Sequence, residues 1–583
     1  MKRTNRMDLT RTFFQIASRF SPLFISILIV LIISIIQYAR GFGYELTVMD
    51  TCTRVAILTA ILFIGRFFGS SSTIWRERLD LKRKNQFVQL GVLLVICSIF
   101  LIWLGTITNQ GQWLDSGAHY EESIGHIQDG NQYNHLADAI LKGQAYLDLP
   151  VADFLNEMDN PYDTEMRQEL SRPEDNQVAY WDYAFYNGKY YCYFGVIPCL
   201  LIFLPFKALV GADLRTDYVV ALLSVLSFFA VSSMLYQFAR TYFKSVSFGK
   251  YLIAILFMLF SVGFLEQAIL PRLYSIPILS SLFFIFAGFS FLVKAKRLRM
   301  ETGFLPKSYL IAGSTCIALT LGCRPQHILS CVLILPLFWD EIHERLFFSR
   351  RGFANTASVI APFILVAIPI LYYNYIRFDS PFNFGASYNL TGADMTSYRF
   401  DIPVILARIS EYLFLPPVIS GSYPYIQSIN ETFQSQSIAN LFWANEPFFG
   451  GFFMLSPASF FVLLIFKRDI RHRLRECSVL TFMLVALVLA VVHLVLVSYV
   501  SGITMRYMAD FAWLIIISAV FIIWSCPDNK HGSRLSSMNG IIAFIVFLGL
   551  PLYLWTFLAT SRFGAIITES PWLYYGIKQI MFL

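Results

Sequence analysis

Hydrophobic residues in this chain neither alternate nor recur every third or fourth position. They run on in blocks between short polar and basic breaks. A helix of about 20 apolar residues crosses a bilayer core of ~30 Å, so each block predicts a span. The expected spans lie at about 22–39, 53–70, 87–106, 218–239, 251–266, 273–293, 309–322, 325–340, 354–375, 448–466, 478–499, 509–525 and 538–558. That makes an all-α polytopic membrane protein of about 13 transmembrane helices. Around Gly322-Cys323-Arg324-Pro325 the two halves are short, and a re-entrant hairpin would keep the same parity.

Two polar stretches interrupt the pattern, at 107–190 and 377–447. The first holds 15 Asp or Glu against four Lys or Arg. The segment 191–211 is apolar, but Pro198, Pro205 and Lys207 make it a poor continuous span. It predicts a juxtamembrane helix at the outer interface.

Composition fits this pattern. Hydrophobic residues are 56% and charged residues 14% of the 583 positions, against about 25% charged in soluble domains, which excludes an ordinary soluble enzyme. The net charge of +7 is gathered in clusters at Arg76 to Lys84, Arg240 to Lys250, Lys294 to Arg299, Arg345 to Arg351 and Lys467 to Arg475. No basic stripe favours nucleic acid; the clusters mark cytoplasmic loops. All five fall on one side only if 191–211 does not cross, with the amino end inside, the carboxyl end outside and both polar loops extracytoplasmic. The first apolar run follows Lys2, Arg3, Arg6, Arg11 and Arg19 without a small-x-small cleavage site, so it reads as a retained span. The nine cysteines show no repeated C-x-x-C spacing and predict neither a disulfide frame nor a zinc site.

In the acidic loop, Asp129-Gly130-Asn131-Gln132-Tyr133 opens a stretch where Tyr133, Leu136, Ala137, Ile140 and Leu141 recur at helical spacing and Gly143 follows as terminator. This predicts an amphipathic surface helix. Asp129 at its head is an N-cap or a catalytic carboxylate; the residues leave both open.

The acidic residue four before a tyrosine in a long outer loop resembles the GT-C fold glycosyltransferases that use polyprenyl-phosphate sugars, among them the protein O-mannosyltransferases and the lipid A aminoarabinose transferases. Ala137 to Tyr146, Asn187-Gly188-Lys189-Tyr190-Tyr191 and the apolar segment ending in Gly211 agree with it. The resemblance is good over 87–300, with its acidic loop 107–190 and juxtamembrane helix 191–211. It is loose over the variable module 301–583 and gives no role to the spans in 1–86. It implies a multi-pass protein of the bacterial plasma membrane, an extracytoplasmic active site and Asp129 as general base. The implied partners are a polyprenyl-phosphate sugar donor, membrane lipid and an acceptor protein, lipid or envelope polymer, with transfer by inversion.

Chemistry asks for the same parts. Sugar transfer from a lipid phosphate needs a carboxylate to take the acceptor's proton and a cation to stabilise the leaving phosphate. Arg272 in Leu270-Pro271-Arg272-Leu273-Tyr274, Arg324 in its short turn, and Arg506 in Met505-Arg506-Tyr507 are expected at the outer surface, where each could fork a phosphate. Taken singly, an arginine that snorkels or pairs with Glu266 or Asp510 is the simpler account. Lys189 is a further candidate cation, Tyr133, Tyr274 and Tyr507 are candidate substrate contacts, and Glu266 is the second candidate catalytic carboxylate. His119, Glu122 and His126 stand close enough in sequence to Asp129 to collect a divalent cation, though they match no defined metal motif. In the second loop Tyr388, Tyr398, Tyr423 and Tyr425 suit a membrane interface or a sugar face. A transporter or flippase of a lipid-linked or envelope substrate is the alternative reading. It would use ionisable residues deep in spans, and Arg54, Arg66 and His493 are the clear ones.

Overall fold

The computed structural model describes residues 21–33, 48–107, 118–122, 124–397, 400–429, 448–500, 503–526, 533–559 and 566–580. Tyr398 and the basic amino-terminal residues named above lie outside them. The fold is mostly helical. Seven helices among the described residues are long and apolar enough to cross a membrane: Lys84–Thr106, Thr216–Tyr242, Ser275–Thr302, Phe353–Phe378, Leu480–Tyr499, Met505–Ser525 and Met538–Leu558. Each coincides with an expected span. Met505–Ser525 is the axis, 94% buried, with Ser275–Thr302 and Thr216–Tyr242 beside it, while Phe353–Phe378 is only 17% buried and stands at the rim.

Because apolar side chains gain little from one another in lipid, such helices associate through close backbone approach and interhelical hydrogen bonds. Here Ser233 Oγ meets Ser290 Oγ at 2.6 Å and Ser227 Oγ donates to the Leu279 carbonyl at 3.1 Å, joining Thr216–Tyr242 to Ser275–Thr302. A Cβ on Gly313 would come within 2.9 Å of the Gly288 carbonyl oxygen, which is how Lys307–Leu319 sits so close to the same helix.

Other expected spans take broken forms. The run at 251–266 ends at Ser261, turns at Gly263 with φ +101°, and restarts as Phe264–Ile269. The runs at 325–340 and 448–466 contain long 3-10 segments, Pro325–Leu333 and Pro457–Phe466, each opening on a proline. A proline fixes φ and is tolerated in a first turn, whereas inside a helix it removes one backbone bond and crowds the preceding turn, which kinks or breaks it.

The polar loops are not wholly α. Strand β1 (His119–Glu121) pairs antiparallel with β2 (His126–Gln128), β3 (Ala184–Tyr186) with β4 (Lys189–Tyr191), and β5 (Val418–Ile419) with β6 (Ile426–Gln427). Asn187 and Gly188, with φ 48° and 70°, form the β3–β4 turn, where positive φ at both central residues matches strand twist. After β4 the chain is helical over Val196–Val210 and packs against the surface helix Gln132–Leu141. Leu200, Leu201, Leu209 and Val210 are exposed on it. Gly195, which precedes it, touches the turn at 322–323 so closely that a Cβ would lie 2.2 Å from the Gly322 oxygen.

The two polar loops are joined. Asp182 N–H donates to the Leu390 carbonyl at 2.8 Å and Leu390 N–H to the Tyr183 carbonyl at 2.9 Å. The wholly buried Arg167 donates to the carbonyls of Pro161 (2.9 Å) and Thr391 (2.7 Å) and, through Nε, to His126 Nε2 (3.0 Å).

Candidate active site

The surface helix begins at Gln132, three residues later than the sequence predicts, and Asn131 occupies the cap position without a side-chain cap bond. Asp129 is therefore not the N-cap. It sits in the turn after β2, where Oδ1 accepts the Asn131 N–H at 2.8 Å. Its Oδ2 lies 2.8 Å from His135 Nε2 and accepts the Tyr183 hydroxyl at 3.1 Å. The side chain is 2% exposed. Burial pushes its carboxyl up, but the bond to and charge of His135, with the Asn131 and Tyr183 donors, outweigh burial and hold it below the ordinary carboxylate value.

Asp129 lines a cleft of about 60 Å³ with Gln128, Gly130, Asp182, Arg272 and Tyr274. Trp181, Thr216, Pro271 and Leu273 complete its walls. One wall is the first outer loop. The other is the connection between Phe264–Ile269 and Ser275–Thr302, at the ends of the membrane-length helices. Thus the structure brings three residues singled out in the sequence, Asp129, Arg272 and Tyr274, into one cleft. A volume this small holds a few waters, which suits the reacting hydroxyl and a phosphoryl oxygen; a whole sugar would need the walls to part.

Asp182 was not singled out from the sequence. Its backbone is left-handed, φ 60°, and its carbonyl accepts from Gln132 Nε2 at 2.8 Å. Its carboxylate accepts from Asn389 Nδ2 at 3.1 Å and from the Tyr274 hydroxyl. Burial raises its carboxyl above the ordinary range, against the opposing pull of the Tyr274 bond, the Arg506 charge and the Asn389 amide. Two carboxylates with opposite shifts therefore share the cleft, the arrangement that separates acid and base roles.

Arg506 stacks over the Tyr274 ring at 4.0 Å and over Tyr507 at 5.0 Å, which carries its charge to the cleft's edge. Arg324 is placed differently. Its Nε and Nη2 fork Asp510 at 2.8 and 2.5 Å, and His327 Nε2 lies 3.0 Å from the same carboxylate. The guanidinium also faces Tyr507 at 4.9 Å. The side-on fork of Nε and Nη2 is thus taken by Asp510, and Arg324 does not line the cleft.

The remaining candidates stand apart. The Tyr133 ring is 1% exposed and stacks on Phe203 at 5.1 Å, so it joins the surface helix to the segment 199–203 and does not line the cleft. Lys189 lies exposed on β4 over the Tyr146 ring at 4.0 Å. Glu266 is buried in Phe264–Ile269 and is not a lining residue. His126, offered above as a metal ligand, has both ring nitrogens engaged, Nδ1 with the Ile124 carbonyl at 2.5 Å and Nε2 with Arg167. It has no lone pair left for a cation, and burial lowers its pKa to about 4, the Ile124 bond opposing and the Arg167 charge adding. His119 lies 4.0 Å from Glu121, and Glu122 is exposed. Among the described residues no group of three or more His, Cys, Asp or Glu is placed to hold a metal ion, so these three do not fit the divalent cation raised for them.

No family model and no curated protein matches the chain. Among solved structures it is similar to the archaeal oligosaccharyltransferase AglB from Archaeoglobus fulgidus in complex with an inhibitory peptide and a dolichol-phosphate. The identity is 12% and the TM-score 0.42, over 82% of this chain and 56% of that one. It is also similar to the Archaeoglobus fulgidus oligosaccharyltransferase tethered by a disulfide to an acceptor peptide with the NVT sequon, at 11% identity and TM-score 0.42, over 82% and 55%. The chain spans little more than half the length of these proteins.

Proposed function

We propose that this chain is an integral membrane glycosyltransferase of GT-C type that transfers a sugar from a polyprenyl-phosphate donor to an acceptor hydroxyl on the extracytoplasmic side. The observation that carries the reading is the cleft that Asp129, Arg272 and Tyr274 line together at the ends of membrane-length helices. A lipid tail would hold the donor phosphate at that level, and the outer loop would bring the acceptor. The helix Val196–Val210, with its exposed leucines, would lie along the interface beside it.

In the reaction, the acceptor O–H bond breaks while its oxygen bonds the anomeric carbon. The bond from that carbon to the phosphate oxygen breaks, and the electron pair leaves with the polyprenyl phosphate. The proton goes to Asp129. A single displacement of this kind inverts the anomeric centre. Asp129 is ionised at neutral pH and its Oδ1 is engaged only by a backbone N–H, which leaves a lone pair for the hydroxyl. Arg272 and Arg506 supply positive charge toward the leaving phosphate, Arg506 held by Tyr274 and Tyr507. Asp182 holds Tyr274 in the wall.

The test is transfer by purified protein in nanodiscs from a radiolabelled polyprenyl-phosphate sugar, scored by release of polyprenyl phosphate. Absence of release with mannosyl, glucosyl and aminoarabinosyl donors alike, while a liposome assay showed movement of the lipid-linked sugar across the bilayer, would favour the transport reading instead.

A further inference from the structure

His135 lies on the first turn of the surface helix, six residues beyond Asp129 and behind the cleft wall. Its Nε2 is 2.8 Å from Asp129 Oδ2, and its side chain is 32% exposed while that of Asp129 is 2% exposed. Asp129 thus meets the cleft on one side and a partly exposed imidazole on the other. The second donor to Oδ2 is the wholly buried Tyr183 hydroxyl. Both anchors on Oδ2 are side chains, and together they fix which oxygen is presented to the cleft.

Resting on the reading of Asp129 as base, we propose that His135 is a positioning residue that gates it. Neutral His135 donates Nε2–H to Oδ2 and orients the carboxylate with Oδ1 toward the acceptor. Protonated His135 turns this bond into an ion pair, which draws down the proton affinity of the carboxylate and disables the base. The tautomer follows from the geometry, because an ionised carboxylate only accepts, so the imidazole nitrogen facing it carries hydrogen. The other charged and titratable groups around the pair are Tyr180 and Tyr183 and, at the cleft, Asp182 and Arg272. On the outer side of the helix, Asp138 is bonded by Lys207 at 2.8 Å. Of these, Asp182, with its carboxyl raised by burial, is the other candidate for an acidic limb.

The test is the pH profile of transfer at saturating donor for wild type, His135→Gln and His135→Ala. Gln keeps an N–H where Nε2 stands but takes no charge. The wild-type kcat should fall about tenfold per pH unit on an acidic limb. His135→Gln should stay within about threefold of wild type at the alkaline plateau and lose that limb, becoming faster than wild type in acid. His135→Ala should lower kcat at every pH with donor KM unchanged. A wild-type profile with no acidic limb overturns the proposal without any variant. So does a His135→Gln profile that keeps the limb, which would transfer it to Asp182. Near-normal transfer by Asp129→Asn is a separate result; it would remove the base itself and not merely its gate.

Discussion

Replacing Asp129 by asparagine separates the chemistry of the cleft from its architecture. The carboxylate takes three donors: the Asn131 N–H, His135 Nε2 and the Tyr183 hydroxyl. An asparagine with its oxygen at the Oδ1 position keeps the Asn131 bond. Its amide N–H₂ then faces His135 and Tyr183, and both can reverse roles, the imidazole by changing tautomer and the hydroxyl by rotating. The network is inverted and not orphaned, so the cost is the exchange of charge-assisted for neutral bonds, about 1–2 kcal/mol. Alanine leaves the Tyr183 hydroxyl, in a wholly buried residue, and the Asn131 N–H without an acceptor, a loss of about 2–4 kcal/mol. Because the folded carboxyl is held low, its stabilisation is present above the unfolded value of about 3.9 and is lost as pH falls through the lower folded value. The stability gap between wild type and Asp129→Asn should therefore close in strong acid, as pH falls through the lower folded value. Activity behaves otherwise. An amide takes no proton at neutral pH, so transfer should fall by about 10²–10⁴-fold, with donor binding retained. The assay pairs donor binding in nanodiscs with single-turnover release of polyprenyl phosphate. Transfer within threefold of wild type by a folded Asp129→Asn would refute the assignment and move the base to Asp182.

Arg272→Lys and Arg506→Lys should each weaken donor binding by roughly tenfold or more in a filter or scintillation assay, since an ammonium does not reproduce the fork. Arg324→Lys should leave donor affinity unchanged, because Arg324 does not line the cleft, and lower thermal stability by loosening the pair with Asp510; Asp510→Asn should cost about 3–5 kcal/mol by stranding the guanidinium. His126 is held neutral with a pKa of about 4, so an unfolded histidine near 6.5 binds the proton first, and stability should fall as pH drops from about 6.5 to about 4. The loss is on the order of 3 kcal/mol, and melting curves of His126→Gln should lack that slope. Gly195→Ala should abolish accumulation of folded protein on detergent gel filtration, since its Cβ would strike backbone oxygens at 2.2 and 2.3 Å; normal elution would show that the close approach is dispensable.

Apolar runs located the membrane-length helices, closely at Leu480–Tyr499 against an expected 478–499 and less so at Ser275–Thr302, whose polar last turns run nine residues past the expected 293, because hydropathy over 20 positions needs no knowledge of neighbours. The surface helix was readable from its spacing and Gly143, and Asp129 and Arg272 from the chemistry they could serve. His135 lay in view, but an aspartate and a histidine six apart carry no signal until a turn folds one over the other. Asp182 was hidden among 15 loop acids, since its distinction is the company of Tyr274, Asn389 and Gln132, drawn from far along the chain. The 3-10 segments were invisible for a different reason: hydropathy says how apolar a stretch is and not how tightly it coils. The Asn187-Gly188 turn, in contrast, was a hairpin signal open to view.

The seam between the two outer loops bears on the order in which the protein is made. Asp182 holds its left-handed backbone by donating to Leu390, and its carboxylate leans on Asn389; Arg167 closes on Thr391. A nascent chain that already holds Asp129, His135, Arg272 and Tyr274 still lacks the segment that fixes the second carboxylate, which follows Tyr274 by more than a hundred residues. Chains grow from the amino end at about 5–20 residues per second, so the half-made cleft waits roughly 6–23 seconds for its last wall. During that interval the membrane carries an acidic loop not yet fastened, and the cleft matures late in synthesis, after the chain has committed most of its helices to the bilayer.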